Sequence, residues 1–170
     1  MSPDTATPQP FELRTHRIGD MGLITQRHGI IYSREPYNWD QRFEALVARI
    51  TADFIDNYNP AKEQCWIAEK TGNFLGCVML VQDPDNKDFA KLRLLLVEEE
   101  ARGMGVATRL ISECIQFARE AGYQSVVLWT QSILEGARRL YTRAGFNLIE
   151  WEEHESFGHV LIGEKWRLDL

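Results

Sequence analysis

Apolar residues in WDQRFEALVARITADFIDNY, residues 39–58, recur at Trp39, Phe43, Leu46, Val47, Ile50 and Phe54. Spacings of three and four predict an amphipathic helix. Beyond Pro60 the period changes. CWIAEKTGNFLGCVMLV reads as two apolar runs around a Gly72-Asn73 turn, a hairpin. FAKLRLLLV is the next strand, and strict alternation puts Leu92, Leu94 and Leu96 on one face and Lys91, Arg93, Leu95 and Val97 on the other. VATRLISECIQFAREAG returns to helical spacing, with Val106, Leu110, Cys114, Phe117 and Ala121 along one side and Gly122 suited to end it. SVVLW is a short apolar strand, and LEGARRLYTRAG is a helix closing at Gly145. FNLIEWEE and EKWRLDL are late strands around a loop, HESFGHVLIG. Upstream, FELRTHRI predicts a first strand, and DMGLITQRHGIIYSRE has mixed helical character with a break at Gly29. This order gives one α/β (α+β) domain over residues 11–170, with a mixed, mostly antiparallel sheet flanked by helices.

Composition narrows the picture. A chain of 170 residues, 44% hydrophobic and 26% charged, has the balance of a globular domain able to bury its own core. A formal net charge of −6 argues against a dedicated nucleic-acid binder, so an anionic ligand needs a local site. Cys65, Cys77 and Cys114 form no CxxC pair and read as buried thiols in a reducing compartment. MSPDTATPQP, residues 1–10, reads as a loose leader without the basic start and apolar stretch of a secretory signal. No apolar run is long enough to span a bilayer, so the expected place is the cytoplasm, with no membrane partner. His16, His28, His154 and His159 form no HxxxH or Cys/His cluster, so no metal is expected.

The chemistry concentrates in EARGMGVATRL, residues 100–110, between the strand and the helix. A helix N-terminus carries unpaired N–H groups and the positive end of its dipole, and glycine lets a ligand approach the backbone. A P-loop requires Gly-Lys-Ser/Thr, whereas Gly105 is followed by Val106 and Ala107. A dinucleotide fingerprint requires GxGxxG, and its third glycine position is Thr108.

The run from Arg102 to Ala107, R-x-x-G-x-A, resembles the pyrophosphate loop of the GCN5-related N-acetyltransferase family. LLLVEEEARGMGVATRLI looks like that family's fourth strand, loop and third helix, and ARRLYTRAGF, residues 137–146, looks like its A-x-x-L/F-Y-x-x-x-G-F segment. NFLGCVML, with Gly76, resembles its third strand. GDMGLITQRHGIIY and SFGHVLIGEKWRLDL also resemble a subgroup found fused behind MarR-type regulators, although this chain carries no regulator portion.

The resemblance implies acetyl-CoA as co-substrate. Its pyrophosphate is expected on the loop formed by Arg102, Gly103, Met104, Gly105, Val106, Ala107 and Thr108, and its pantetheine arm along the strand end Leu95, Leu96 and Val97. An exposed strand edge offers the pairing that such an arm needs. Tyr141 matches the family's tyrosine, so the implied role is proton donor to the departing thiolate. Glu99 stands where the family often has proline, Leu134 where relatives have asparagine, and Trp129 where some carry a glutamate base. The base is therefore unassigned by motif. EWEEHESFGH, residues 150–159, supplies the candidates: carboxylates including Glu155 to attract a cationic amine, and His159 or Glu155 to accept its proton. Two functions follow. The first is N-acetyl transfer to a primary amine of a small molecule or peptide by direct attack in a ternary complex, with a homodimer as the candidate assembly. The second is a non-catalytic acyl-CoA-binding sensor or interaction domain.

Overall fold

The computed structural model describes residues 10–170, so the expected leader lies outside it except for Pro10. The elements run β1 (Glu12–Thr15), α1 (Asp20–Tyr32), α2 (Gln41–Asp56), β2 (Gln64–Lys70), β3 (Asn73–Asp83) and β4 (Asn86–Val97). After a 3-10 turn over Glu99–Ala101 come α3 (Val106–Glu120), β5 (Ser125–Gln131), α4 (Glu135–Ala144), β6 (Asn147–Ser156) and β7 (His159–Asp169). One seven-stranded sheet has the order β1-β2-β3-β4-β5-β7-β6. Among the described residues only β4 and β5 pair in parallel. The expected α/β domain with a mostly antiparallel sheet is the fold observed.

Helices cover both faces. On one, Ile24 of α1 and Val47 and Phe54 of α2 pack on Ile67, Cys77 and Met79. On the other, Val106, Leu110 and Cys114 of α3 and Tyr141 of α4 pack on Val78, Leu80, Leu92 and Leu128. Asp40 begins α2 by accepting a 3.0 Å hydrogen bond from the Arg42 amide, so Trp39 lies just outside the helix.

Four local expectations are corrected. Gly29 does not break α1. It sits in mid-helix where a Cβ would lie 3.1 Å from the Glu44 carboxyl, so glycine serves the close approach of α2. The β2–β3 turn falls on Thr71 and Gly72, at φ 49° and 79°, with Asn73 already paired to Lys70. The late loop over residues 154–163 is mostly strand: β6 and β7 form a long hairpin turning only at Phe157 and Gly158, φ 56° and 84°.

The fourth correction shapes the molecule. Between the pairs Met79–Arg93 and Cys77–Leu96, β3 advances two residues while β4 advances three. The surplus residue makes a bulge, with Leu94 at φ 54° and its carbonyl accepting the Cys77 thiol at 3.2 Å. Strict alternation ends there. Leu92 faces the α3 side, whereas Leu94 and Leu96 join the cluster under α1 and α2.

Candidate active site

The bulge bends β4 away from its parallel neighbour. β4 and β5 pair only through Phe89–Leu92 and Ser125–Leu128. Beyond that, β4 follows β3 to Val97 and β5 follows β7 to Gln131, so the sheet opens between them. The β5-facing edge after Leu92, which includes Leu95, Leu96 and Val97, has no strand partner among the described residues.

At the far end of this edge lies the glycine loop. Gly103 and Gly105 hold φ 79° and 81°, and a Cβ at either would meet no atom within 4 Å, so the loop surface is open. The amides of Gly103, Gly105, Val106, Ala107 and Thr108 have no backbone partner among the described residues, while Met104 donates to Ala101 O and Arg102 to Glu99 O. The first turn of α3 carries no acid and Gly105 caps it without a side chain. Unpaired amides, a helix dipole and open space suit a phosphate. The loop is anchored from α1, where Arg27 Nε and Nη2 donate to the two oxygens of buried Glu98 at 2.5 and 2.9 Å.

The opening leads into a cleft of about 240 Å3 between the sheet and α2. Tyr141 reaches it from α4, 5% exposed. Its ring packs near Phe146 and Trp166, while its hydroxyl has no hydrogen-bond partner among the described residues. Burial pushes this phenol well above the usual tyrosine range, so it is protonated at neutral pH. α4 is fastened to β7 one turn earlier. Buried Glu164 accepts from Arg138 Nε at 2.9 Å and from Trp166 Nε1 at 3.0 Å.

The same cleft holds a histidine that sequence reasoning weighed only as a metal ligand. His28 lines the cleft from α1, 2% exposed. Its Nδ1 donates to Ile24 O at 2.8 Å, which leaves Nε2 as a bare acceptor. Burial pushes the imidazole down to about 4 against the opposing pull of that hydrogen bond, so it is neutral at pH 7. The helical pattern of α1 is weak, which hid the inward face of this residue. Around it stand Tyr32, Trp39, Phe43 and Phe157, with Tyr32 stacked on Trp39 at 4.9 Å and Phe157 5.1 Å from Phe43.

His159 and Glu155 are not brought to the cleft. His159 Nε2 donates to Asn38 O at 2.9 Å, and the Asp40 amide donates to Phe157 O at 3.1 Å. These bonds dock the hairpin tip on the α1–α2 connection and deliver Phe157, not the histidine, to the cavity. Glu155 stays exposed on β6, opposite Val160. Leu134 and Trp129, both departures from the family pattern, line the cleft. Among the described residues no group of three or more His, Cys, Asp or Glu is arranged to hold a metal.

Comparison with known proteins shows the family and the fold. The sequence model of the acetyltransferase (GNAT) family matches residues 30–146. N-acetyltransferase 8F1 of Rattus norvegicus is 33% identical over 133 residues, covering 76% of this chain and 57% of that protein. N-acetyltransferase 8B of Homo sapiens is 33% identical over 127 residues, covering 72% of this chain and 54% of that one. The chain thus spans about half the length of the curated relatives it matches. In structure it resembles a putative acetyltransferase from Salmonella typhimurium solved with its cofactor acetyl-CoA, at TM-score 0.76, 18% identity and 94% coverage of each chain. It also resembles a ribosomal-protein-alanine N-acetyltransferase from Brucella melitensis, at TM-score 0.75 and 16% identity, covering 94% of this chain and 99% of that one.

Proposed function

The chain belongs to the acetyltransferase (GNAT) family, and from that premise we propose that it moves an acetyl group from acetyl-CoA to a primary amine by direct attack in a ternary complex. The observation that carries this reading is the opening between β4 and β5, bounded by free amides at one end and Tyr141 at the other. The amides from Gly103 to Thr108, flanked by Arg102 and Met104, receive the pyrophosphate, and the edge at Leu95, Leu96 and Val97 pairs with the pantetheine arm. Those placements rest on the likeness of the loop and strand to the family's.

In the step itself, the amine nitrogen uses its lone pair to attack the thioester carbonyl carbon. The C–N bond forms, the C–S bond breaks, the nitrogen gives up one proton and the departing sulfur gains one. Tyr141 supplies the proton to sulfur and recovers it from solvent. His28 Nε2 accepts a hydrogen bond from the amine and aims its lone pair at the carbonyl. Its depressed pKa makes it a poor store for a proton, so it orients the neutral amine and passes the proton on to water. We assign this role to His28 rather than to His159 or Glu155 because it lines the same cavity as Tyr141.

The names of the relatives support N-acetyl transfer, and the acceptor is a small-molecule or peptide amine. The finer likeness to the domain behind MarR-type regulators falls on α1 and β7 and belongs to this proposal. So does the cytoplasmic setting, supported by three buried free thiols and by the absence, among the described residues, of a helix long and apolar enough to cross a membrane. Pairing with a second copy is supported by exposed apolar side chains on β6 and β7, with Trp151 66% and Val160 67% exposed.

Calorimetric titration with acetyl-CoA, followed by detection of free CoA over a panel of amines, tests the reading. Gly105→Val places a β-branched residue at φ 81° in the path of the pyrophosphate and is expected to weaken acetyl-CoA binding. A folded Gly105→Val protein with unchanged affinity would remove the loop from the site. Tight acetyl-CoA binding without turnover against any amine would favour the acyl-CoA-binding sensor.

A further inference from the structure

Arg93 lies where β4 leaves β5, one residue before the bulge, paired with Met79. Met79 belongs to the cluster under α1 and α2, and paired residues share a face, so Arg93 points to that side and not to the α3 loop. It is half-buried and lines the cleft beside Phe43 and Leu46. No carboxylate comes within 4.0 Å of it among the described residues. Among the described residues no aspartate or glutamate lines the cleft. The one acid whose field reaches it, Asp53, is exposed on α2 and only partly offsets the downward push of burial on the guanidinium. Lys91, two residues earlier, also borders a neighbouring hollow, where Asp83 and Asp85 partly offset the downward push of burial and of Arg93 on its ammonium.

Withdrawing a cation from water without a counter-charge costs free energy, and a site that does so is matched to a ligand that brings the missing anion. A guanidinium fits a carboxylate through two parallel N–H donors. The aromatic walls at Tyr32, Trp39, Phe43 and Phe157 suit an apolar group attached to the same molecule. A polyamine is disfavoured, because a second ammonium would meet Arg93 and find no acid.

Building on the acetyl-transfer reading above, we propose that Arg93 binds the carboxylate of the acceptor, which is an α-amino acid with an aromatic or aliphatic side chain. The α-amine attacks the thioester, the C–S bond breaks, and the product is the N-acetyl amino acid with its carboxylate unchanged; nitrogen loses one proton and sulfur gains one. Arg93 is thus a specificity residue.

The test compares L-phenylalanine with 2-phenylethylamine, which lacks only the carboxylate, in wild type and Arg93→Met, each rate divided by the fraction of free amine. A charge-assisted hydrogen-bond pair predicts a kcat/KM preference for L-phenylalanine of roughly 10- to 100-fold in wild type, collapsing toward unity in Arg93→Met. Wild-type turnover without that preference, or a preference that survives in Arg93→Met, overturns the assignment while leaving acetyl transfer intact. Failure to bind acetyl-CoA at all instead removes the acetyl-transfer reading on which it rests. A second measurement needs no variant: N-acetyl-L-phenylalanine should bind the CoA-saturated protein at least tenfold tighter than N-acetyl-2-phenylethylamine. Equal affinity, or no binding of either, overturns the inference.

Discussion

Replacing Tyr141 by phenylalanine removes one oxygen and leaves the ring. The ring contacts with Phe146 and Trp166, at centroid distances of 5.8 and 6.4 Å, are kept. The hydroxyl has no protein partner among the described residues, so no donor or acceptor is orphaned, and stability should change by less than about 1 kcal/mol. The chemical step should suffer far more. A positioned general acid is worth about 10²–10⁴-fold, which corresponds to roughly 2.7–5.4 kcal/mol of barrier. Acetyl-CoA affinity should stay nearly constant, because the proton is needed only as the C–S bond breaks. Burial raises this pKa, so the phenol keeps its proton at pH values where an ordinary tyrosine begins to lose it, and the wild-type rate should show no alkaline decline from this group up to about pH 10. Single-turnover release of CoA measures the step, calorimetry the affinity and urea unfolding the stability. A Tyr141→Phe protein with the full single-turnover rate would refute the assignment, as would one whose loss lies wholly in acetyl-CoA affinity.

His28 is neutral in the fold down to about pH 4, whereas the unfolded chain takes up its proton near 6.5. Its contribution is therefore present above pH 6.5 and lost as pH falls toward 4, by about 3 kcal/mol in all, and urea midpoints of wild type should decline more steeply over that window than those of His28→Gln. Gly76→Ala would set a Cβ 2.5 Å from Leu96 O, beside the free β4 edge. It should cost about 1–3 kcal/mol of stability in thermal or urea melts and weaken acetyl-CoA binding; an unchanged melt would mean that the edge can move at no cost. His159→Ala loosens the hairpin tip that carries Phe157, so the acceptor KM should rise with no rescue at high pH, while Glu155→Gln should stay within about twofold of wild type. Recovery of His159→Ala as pH increases would return the role of base to His159.

The hydrophobic periods alone determined the order of elements, because burial of one face imposes a period of two on strands and near 3.6 on helices. The glycine loop, α3 and the Tyr141 helix were legible for the same reason: each is a local pattern of neighbouring residues. Three features lay beyond that reach. The bulge at Leu94 is one surplus residue in a run of leucines, and only the register against β3 distinguishes it from regular alternation. The hairpin tip read as a charged loop because a strand exposed on both faces carries no alternation, so the last residues of β6, the first of β7 and the docking of His159 on Asn38 stayed hidden. The cleft itself gathers His28 from α1, Arg93 from β4, Tyr141 from α4 and Phe157 from the β6–β7 turn. Residues so far apart in the chain have no common spacing to read. Their meeting follows from two strands parting after Leu92 and Leu128, a long-range event decided by packing on both faces of the sheet.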